Sequence, residues 1–349
     1  MLRLLCLLCL LCLNCALTSS ELSQVREALV HALLAQQQAD GSWRSPRYAM
    51  LRDGVALTPV IALALQEAGL PSDDPALTRA AGWIATRVRP DGSLGTEDPF
   101  LLAYPTYATA SALAFLQGRN NEGEAALRER MRSWLHAAQI DEGEAIPPTH
   151  PAHGLWGFNR ALPGQPGHVD IAHTCWALEA LAYAADTASE PSLTALARMQ
   201  NADGGFYFSP TDDAANKGRT DADGAFASYA SATCDGIRAL LACGCAPDDP
   251  RVRAAATWLE AHPEWNPVAG IPANQSEDWQ QSVLLYASMS RARTLAALDR
   301  ADWAPAYLAT VRPYQQDNGL YANPRGFLMK EDEPLVASAL VLRGLAACR

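Results

Sequence analysis

Runs of lysine or arginine are missing from this chain. Its 27 Lys and Arg are outnumbered by 38 Asp and Glu, which leaves a net charge of −11. A nucleic-acid partner is therefore not expected, because such partners demand a basic patch or stripe. Linkers and low-complexity segments are also missing, so nothing divides the chain although 349 residues would allow two domains. Mean hydropathy is only −0.08, which argues against a polytopic membrane protein. The hydrophobic share of 49% is nevertheless ample for a core.

One long apolar run exists, at the amino terminus. Residues 1–20 carry a single Arg3, a Leu/Cys run and then small residues. This pattern predicts a signal peptide and hence export, and the run is too short for a comfortable membrane span. Cys15 followed by Ala16 also suggests a lipoprotein leader with membrane attachment through a lipidated Cys15, although Leu13-Asn14 departs from the small residues usual before such a cysteine. The expected location is periplasmic, secreted or membrane-anchored. Four of the nine cysteines (Cys6, Cys9, Cys12 and Cys15) fall in this leader. The other five, Cys175, Cys234, Cys243, Cys245 and Cys348, are odd in number and do not suggest a disulfide framework.

Beyond the leader the chain repeats itself. Gln200-Asn201-Ala202-Asp203-Gly204-Gly205-Phe206 shares a Gln-x-x-x-Gly-x-aromatic pattern with Gln37 to Trp43 and with Gln315 to Tyr321. Weaker copies place glycines at Gly92, Gly143 and Gly270. Each copy closes one helix and opens a loop to the next, the Gly supplying a positive φ and the aromatic packing back over the turn. Charged helices are predicted near 21–38, 75–87, 124–139, 189–200, 250–262 and 302–316. Apolar helices, to be buried, are predicted near 53–68, 105–117, 170–185, 229–243, 278–298 and 333–348. Asp74-Pro75 and Asp249-Pro250 are cap-and-start pairs. Six alternating pairs suffice to close an all-α ring, an α/α toroid over residues 21–349 with the small-residue helices inside.

The Gln-x-x-x-Gly-x-aromatic unit resembles the repeat of squalene–hopene cyclases and of protein prenyltransferase β subunits. The stretch from Asp203 to Pro210, with Tyr229 to Thr233 and Ala239 to Val252, is similar to the bacterial prenyltransferase and squalene oxidase repeat-containing proteins. The resemblance implies the toroid of the terpenoid cyclase superfamily, with a central cavity for a hydrophobic or lipid-like small molecule and an isoprenoid-cyclase-like activity. It also bears on two motifs. Asp170-Ile-Ala-His173-Thr-Cys175 resembles the segment that supplies the zinc histidine of prenyltransferases, but their earlier Asp-x-Cys pair is missing, so no metal is expected. The cyclase signature Asp-x-Asp-Asp is one acid short at Asp221-Ala-Asp223-Gly. The resemblance then makes Asp235, within an inner helix, the best lone acid. A carboxyl in an apolar helix needs a reason to be there.

The residues themselves suggest further roles. Asp170 is placed to cap its helix, with His173 three residues on and lining a cavity. Asp170, His173 and Asp235 are thus the catalytic candidates. Tyr107, Trp156, Tyr207 and Tyr229, with Tyr104 and Trp176, are candidates for an aromatic wall that binds substrate. Aromatics are only 7% of the chain, so core packing competes with that role, and Trp43 and Phe206 are read as structural. Arg44, Arg47, Arg52, Lys217, Arg219 and Arg325 fall in loops at the inner-helix starts, where helix dipoles favour an anion. No cofactor is indicated. Three functions stay open: isoprenoid chemistry or lipid binding, a carbohydrate-active toroid using a carboxylate pair such as Asp170 and Asp235, and a non-catalytic scaffold. An apolar cavity, a polar groove and a plugged lumen would respectively distinguish them.

Overall fold

A computed structural model of the chain describes residues 20–96, 98, 104–183, 190–218, 226–273 and 275–348. The leader through residue 19, and Arg219, Asp221 and Asp223, lie outside the described residues. The described residues form thirteen α-helical segments joined by loops, short 3-10 turns and isolated β-bridges, with no β-strand.

Six helices form an outer ring: α1 (20–34), α3 (Pro75–Arg87), α5 (Ala125–Ala137), α7 (Glu190–Met199), α9 (Pro250–Ala261) and α12 (Ala304–Val311). The inner ring is α2 (Thr58–Glu67), α4 (Pro105–Arg119), α6 (Ile171–Tyr183), α8 (Ala230–Ala242), α11 (Leu284–Ala297) and α13 (Pro334–Ala347), with the single-turn α10 (Trp279–Ser282) before α11. Sequence character decides the layer. In α4 every residue from Ala108 to Leu116 is buried, whereas α3 buries Leu77, Ala80, Ala81 and Ile84 and leaves Arg79 outside. Asp74 and Asp249 accept from the backbone N–H groups of Ala76 and Arg251, capping α3 and α9 ahead of Pro75 and Pro250. Each inner helix packs on the next, and α13 returns to α2. The ring is closed outside as well: Gly319, in the last turn, abuts Ala32 of α1, and Arg312 pairs with Glu21.

The repeated turn has a definite chemistry. Gly41, Gly92, Gly204 and Gly319 all have φ between +82° and +95°. The Asp or Asn before each Gly accepts from a backbone N–H two residues on, as Asp203 does from Gly205 at 2.9 Å. Such a side chain holds a turn in place. The Gln amide ties the turn to the next outer helix. Gln37 Nε2 donates to Gly41 O at 3.0 Å and to Ala76 O at 2.8 Å, and Gln200 Nε2 to Gly204 O at 2.9 Å and Arg251 O at 2.8 Å. Within the turn, the residue two past the Gly donates its N–H to a hydroxyl of the coming inner helix. The pairs are Trp43 with Thr58 (3.0 Å), Leu94 with Thr109 (2.8 Å), Phe206 with Thr233 (3.0 Å) and Tyr321 with Ser338 (2.9 Å).

Three sequence expectations need correction. The third turn is made by Gly154, not Gly143. Gln139 Nε2 donates to Gly154 O (3.1 Å), Gly154 has φ +89°, and Trp156 two residues on donates to Thr174 Oγ1 (3.0 Å). Gly143 sits instead in a 3-10 turn within an insertion, its N–H held by Asp141. The fifth copy has lost its Gln, and Gly270 abuts Ser228 and Tyr229 rather than an outer helix. Arg291, from α11, instead donates to the carbonyls of Leu259, His262 and Glu264 and so ties the end of α9 to α11. The helix predicted over 278–298 breaks at Val283, because Glu331 accepts from Leu285 N (2.9 Å) and Tyr286 N (2.8 Å) and so caps a new helix there.

Trp43 is fully buried and donates its indole N–H to Leu33 O at 2.7 Å, so Trp43→Ala is expected to cost about 3–5 kcal/mol in urea unfolding. A Cβ at Gly41 would sit 2.5 Å from Arg79 O on a φ of +93°, so Gly41→Ala is expected to destabilise by more than about 1 kcal/mol. A neutral Gly41→Ala would show that the turn does not press on the next helix.

Candidate functional site in the lumen of the ring

The inner helices start at one end of the ring and finish at the other, and their lumen-facing side chains recur every three or four residues. On α6 these are His173, Trp176 and Glu179; on α8, Asp235 and Arg238; on α11, Tyr286, Ser290 and Arg293. The periodicity of an α-helix lines them up along the axis.

At the amino-terminal mouth a relay of four side chains runs across the first turn of α6. Asp170 Oδ1 accepts from the backbone N–H of His173 (2.8 Å), making it the expected cap. Its Oδ2 pairs with His173 Nδ1 at 2.8 Å and with His168 Nε2 at 3.0 Å. His168 Nδ1 in turn meets Asp212 Oδ2 at 2.8 Å. Burial opposes ionisation of Asp170, but His173, His168 and the backbone N–H outweigh it and hold its carboxyl well below the usual range. Burial lowers His168 too, and the carboxylates on either side overcome that and raise it. A histidine with both ring nitrogens on carboxylates is best satisfied as the cation. His173 differs: with Nδ1 on Asp170, its buried Nε2 has no hydrogen-bond partner among the described residues. The rings of Phe158, Tyr107 and Tyr104 lie 4.9, 5.4 and 6.1 Å from it, centroid to centroid.

Lys217, expected as a loop charge, is buried beside this relay. Its Nζ lies 4.1 Å from the Phe208 ring centroid and 4.9 Å from that of Trp279, and donates to Ala215 O. Burial pushes it down to about 8, against the pull of Asp170 and Asp212. The other described cations expected at this end have partners of their own: Arg44 with Asp40, Arg47 with Asp332, Arg325 with Asp278, and Arg52 with Pro46 O. They do not converge on one anion site.

Further in, the lumen is filled. Tyr107 packs on Trp176 with centroids 4.0 Å apart, and the Arg343 guanidinium lies 4.2 Å from the Trp176 ring. Asp235 is buried and accepts from Arg238 (2.7 Å), Ser290 (2.7 Å) and Tyr286 (2.9 Å). Burial raises its carboxyl above the ordinary value against the Arg238 charge. Arg238 continues to Glu179 (3.1 Å), Arg293 bridges Glu179 (3.4 Å) and Glu67 (2.8 Å), and Arg343 grips Glu67 through Nε (2.7 Å) and Nη2 (2.9 Å). Beyond this network lies a cavity of about 490 Å³ at the carboxy-terminal ends of the inner helices.

The structure therefore brings Asp170, His173 and Tyr107 together at one mouth, with Asp235 deeper on the same axis. Tyr229 is buried at the start of α8. Trp156 occupies the repeat position, its indole donating to Leu135 O (2.7 Å) as Trp43 does to Leu33 O. Tyr207 lies apart, half-buried, with its hydroxyl on Arg198 O. The charged network escaped the sequence reading, yet it had a signal: five helices otherwise nearly free of charge each carry an ion pair member near the carboxy end, at Glu67, Glu179, Arg238, Arg293 and Arg343. Among the described residues no group of three or more His, Cys, Asp or Glu is arranged to hold a metal ion, and the five cysteines outside the leader are all free thiols.

No protein-family model matches this sequence, and no curated protein matches it. Solved structures do. A variant of the type II terpene cyclase MstE from Scytonema, in complex with geranylgeranyl dihydroxybenzoate, superposes with a TM-score of 0.60 at 16% identity over 95% of this chain and 98% of that one. A protein from Actinoplanes gives 0.59 at 15% over 94% and 100%. A glycosidase variant gives 0.54 at 13% over 94% and 97%. At this identity the likeness establishes the α/α toroid, the fold expected from the repeats, and leaves activity open.

Burial works against ionisation of Glu67, but Arg293 and Arg343 bring its carboxyl down to about 2. Its folded value lies below the unfolded 4.5. Its contribution is therefore complete above pH 4.5 and is lost as pH falls from 4.5 towards 2. Glu67→Gln should flatten the stability profile in that window, as followed by urea midpoints. Arg343→Met leaves Glu67 with Arg293 as its one guanidinium partner (2.8 Å) and is expected to cost about 1.5–3 kcal/mol.

Proposed function

We propose that the amino-terminal mouth is an acid–base site for a small, largely apolar molecule, with His173 moving the proton and Asp170 orienting it. The observation that carries this reading is the buried Nε2 of His173, left without a described partner while Nδ1 is committed to a carboxylate. That commitment sets the tautomer: Nδ1 keeps its hydrogen and Nε2 presents a lone pair. When Nε2 takes a proton, the ionised Asp170 offsets the new charge, and the rings of Tyr104, Tyr107 and Phe158 surround the imidazole. The same rings make the surroundings apolar. A ligand reaching Nε2 displaces one of them. The terpene cyclase neighbour, whose substrate carries a geranylgeranyl group, supports an apolar ligand.

The finer chemistry follows from acid strength. Burial raises the Asp235 carboxyl, but its oxygens are taken up by Arg238, Tyr286 and Ser290 in the filled part of the lumen, which leaves an alkene no approach to it for protonation. An imidazolium is too weak an acid for that task. The reading is therefore proton transfer at an oxygen, or at a carbon made acidic by a neighbouring carbonyl, rather than cationic cyclisation. A glycosidase pair is less favoured, because Asp170 and Asp235 are each fully engaged. The filled lumen supports one rival, a scaffold without catalysis. Residues 1–20 add export to the proposal, with Cys15 as a candidate lipid anchor.

Native mass spectrometry of the purified chain, before and after organic extraction, is expected to reveal an apolar ligand. Failing an endogenous one, geranylgeraniol should bind and quench tryptophan fluorescence. His173→Phe keeps the packing but loses one hydrogen bond to the alcohol, an expected weakening of up to about tenfold. A wild-type chain that releases nothing and binds no prenyl alcohol leaves the scaffold reading in place.

A further inference from the structure

The cavity at the opposite end of the ring is separate from the relay and has its own chemistry. Its volume of about 490 Å³ lies in the range of small-ligand sites. Of the charged side chains around it, Glu67 (14% exposed), Glu179 (19%) and Arg293 (16%) are reachable, whereas Arg238 (3%) and Arg343 (2%) are sealed behind them. The floor is thus carboxylate, guanidinium, carboxylate. Ala242, Ala297 and Ala346 supply small apolar walls.

The charge balance narrows the ligand. The network holds Glu67, Glu179 and Asp235 against Arg238, Arg293 and Arg343, three of each sign, all in hydrogen-bonded pairs. An incoming ion of either sign would lose its hydration and find no uncompensated partner. Five inner helices also end here, but carbonyls such as those of Gln66, Leu241 and Ala296 already accept from backbone N–H groups just beyond the helices, so the acceptors that face the cavity are the carboxylates of Glu67 and Glu179. Two carboxylate acceptors flanking one guanidinium donor suit a molecule rich in hydroxyls. Methyl walls suit its C–H faces. We infer that this cavity is a binding site for a neutral polyol of about monosaccharide size.

The test is ligand-observed NMR and calorimetry on the full chain, using glucose, galactose and myo-inositol as probes, with inorganic phosphate and spermidine as charged controls. At least one polyol is expected to bind at about 1 mM or tighter. Two variants, Ala297→Phe and Ala346→Phe, fill the cavity without touching an ion pair. Each should weaken polyol binding at least tenfold while geranylgeraniol binding at the other mouth stays unchanged. The inference is overturned if no polyol binds, if phosphate or spermidine binds in preference, or if both filled variants bind polyol as the wild type does.

Discussion

Five backbone N–H groups, each two residues past a turn glycine, are buried and need an acceptor. Hydroxyls from the inner helices supply it: Thr58, Thr109, Thr174, Thr233 and Ser338. An unpaired buried N–H costs on the order of 1–3 kcal/mol, so this pairing is a strong constraint. It also does more than satisfy a donor. The hydroxyl fixes how deep and at what rotation each inner helix enters the ring relative to the turn before it. With rotation fixed, the side chains three or four residues apart on each helix are committed to the lumen. The placement of His173, Trp176 and Glu179 on one line follows from Thr174 being held by Trp156 in this way.

A lumen lined by helices that pack through Ala, Ser and Thr is narrow, and long charged side chains fill it only if every charge is met. The network from Asp235 to Glu67 meets that condition with three acids and three guanidiniums. Buried pairs of this kind seldom add net stability, but losing one partner is costly. Their effect here is to join helices that are not neighbours in sequence: α2, α6, α8, α11 and α13 are linked by guanidinium bridges. Arg343 shows the economy of the arrangement, gripping Glu67 while its face lies over Trp176. Arginine suits this position better than lysine, since it bonds in a fork and stacks at once.

The alternation of wet and greasy helices, and the Asp-Gly or Asn-Gly turns that end them, were legible because each rests on a local rule. Asp74-Pro75 and Asp249-Pro250 read as helix starts for the same reason. The cap at Asp170 was legible too, as was its spacing to His173. The second half of the relay was not. His168 and Asp212 are 44 residues apart in the chain and meet only when the loop before α8 folds back over α6. Gly154 was missed because an insertion separates it from Gln139, so a fixed Gln-to-Gly spacing pointed to Gly143 instead. Arg291 is a charge inside the predicted apolar helix over 278–298. Only the fold shows that it reaches across to the carbonyls at the end of α9.

The two mouths of the ring differ for a reason older than their side chains. All six inner helices are parallel, so one end collects their first N–H groups and the other their last carbonyls. The first end favours anionic caps, and Asp170, Glu331 and Glu333 occupy it. Once a carboxylate is fixed there, a histidine one turn on is drawn to it, and the free face of that imidazole is left looking into the ring. The second end already leans negative, and it takes arginines to offset the carboxylates gathered there. Proton transfer therefore suits the first mouth, where a polarised base has an ionised neighbour and an apolar roof. The second mouth has its carboxylates locked at low pKa by guanidiniums, which removes them as acids and leaves them as fixed acceptors.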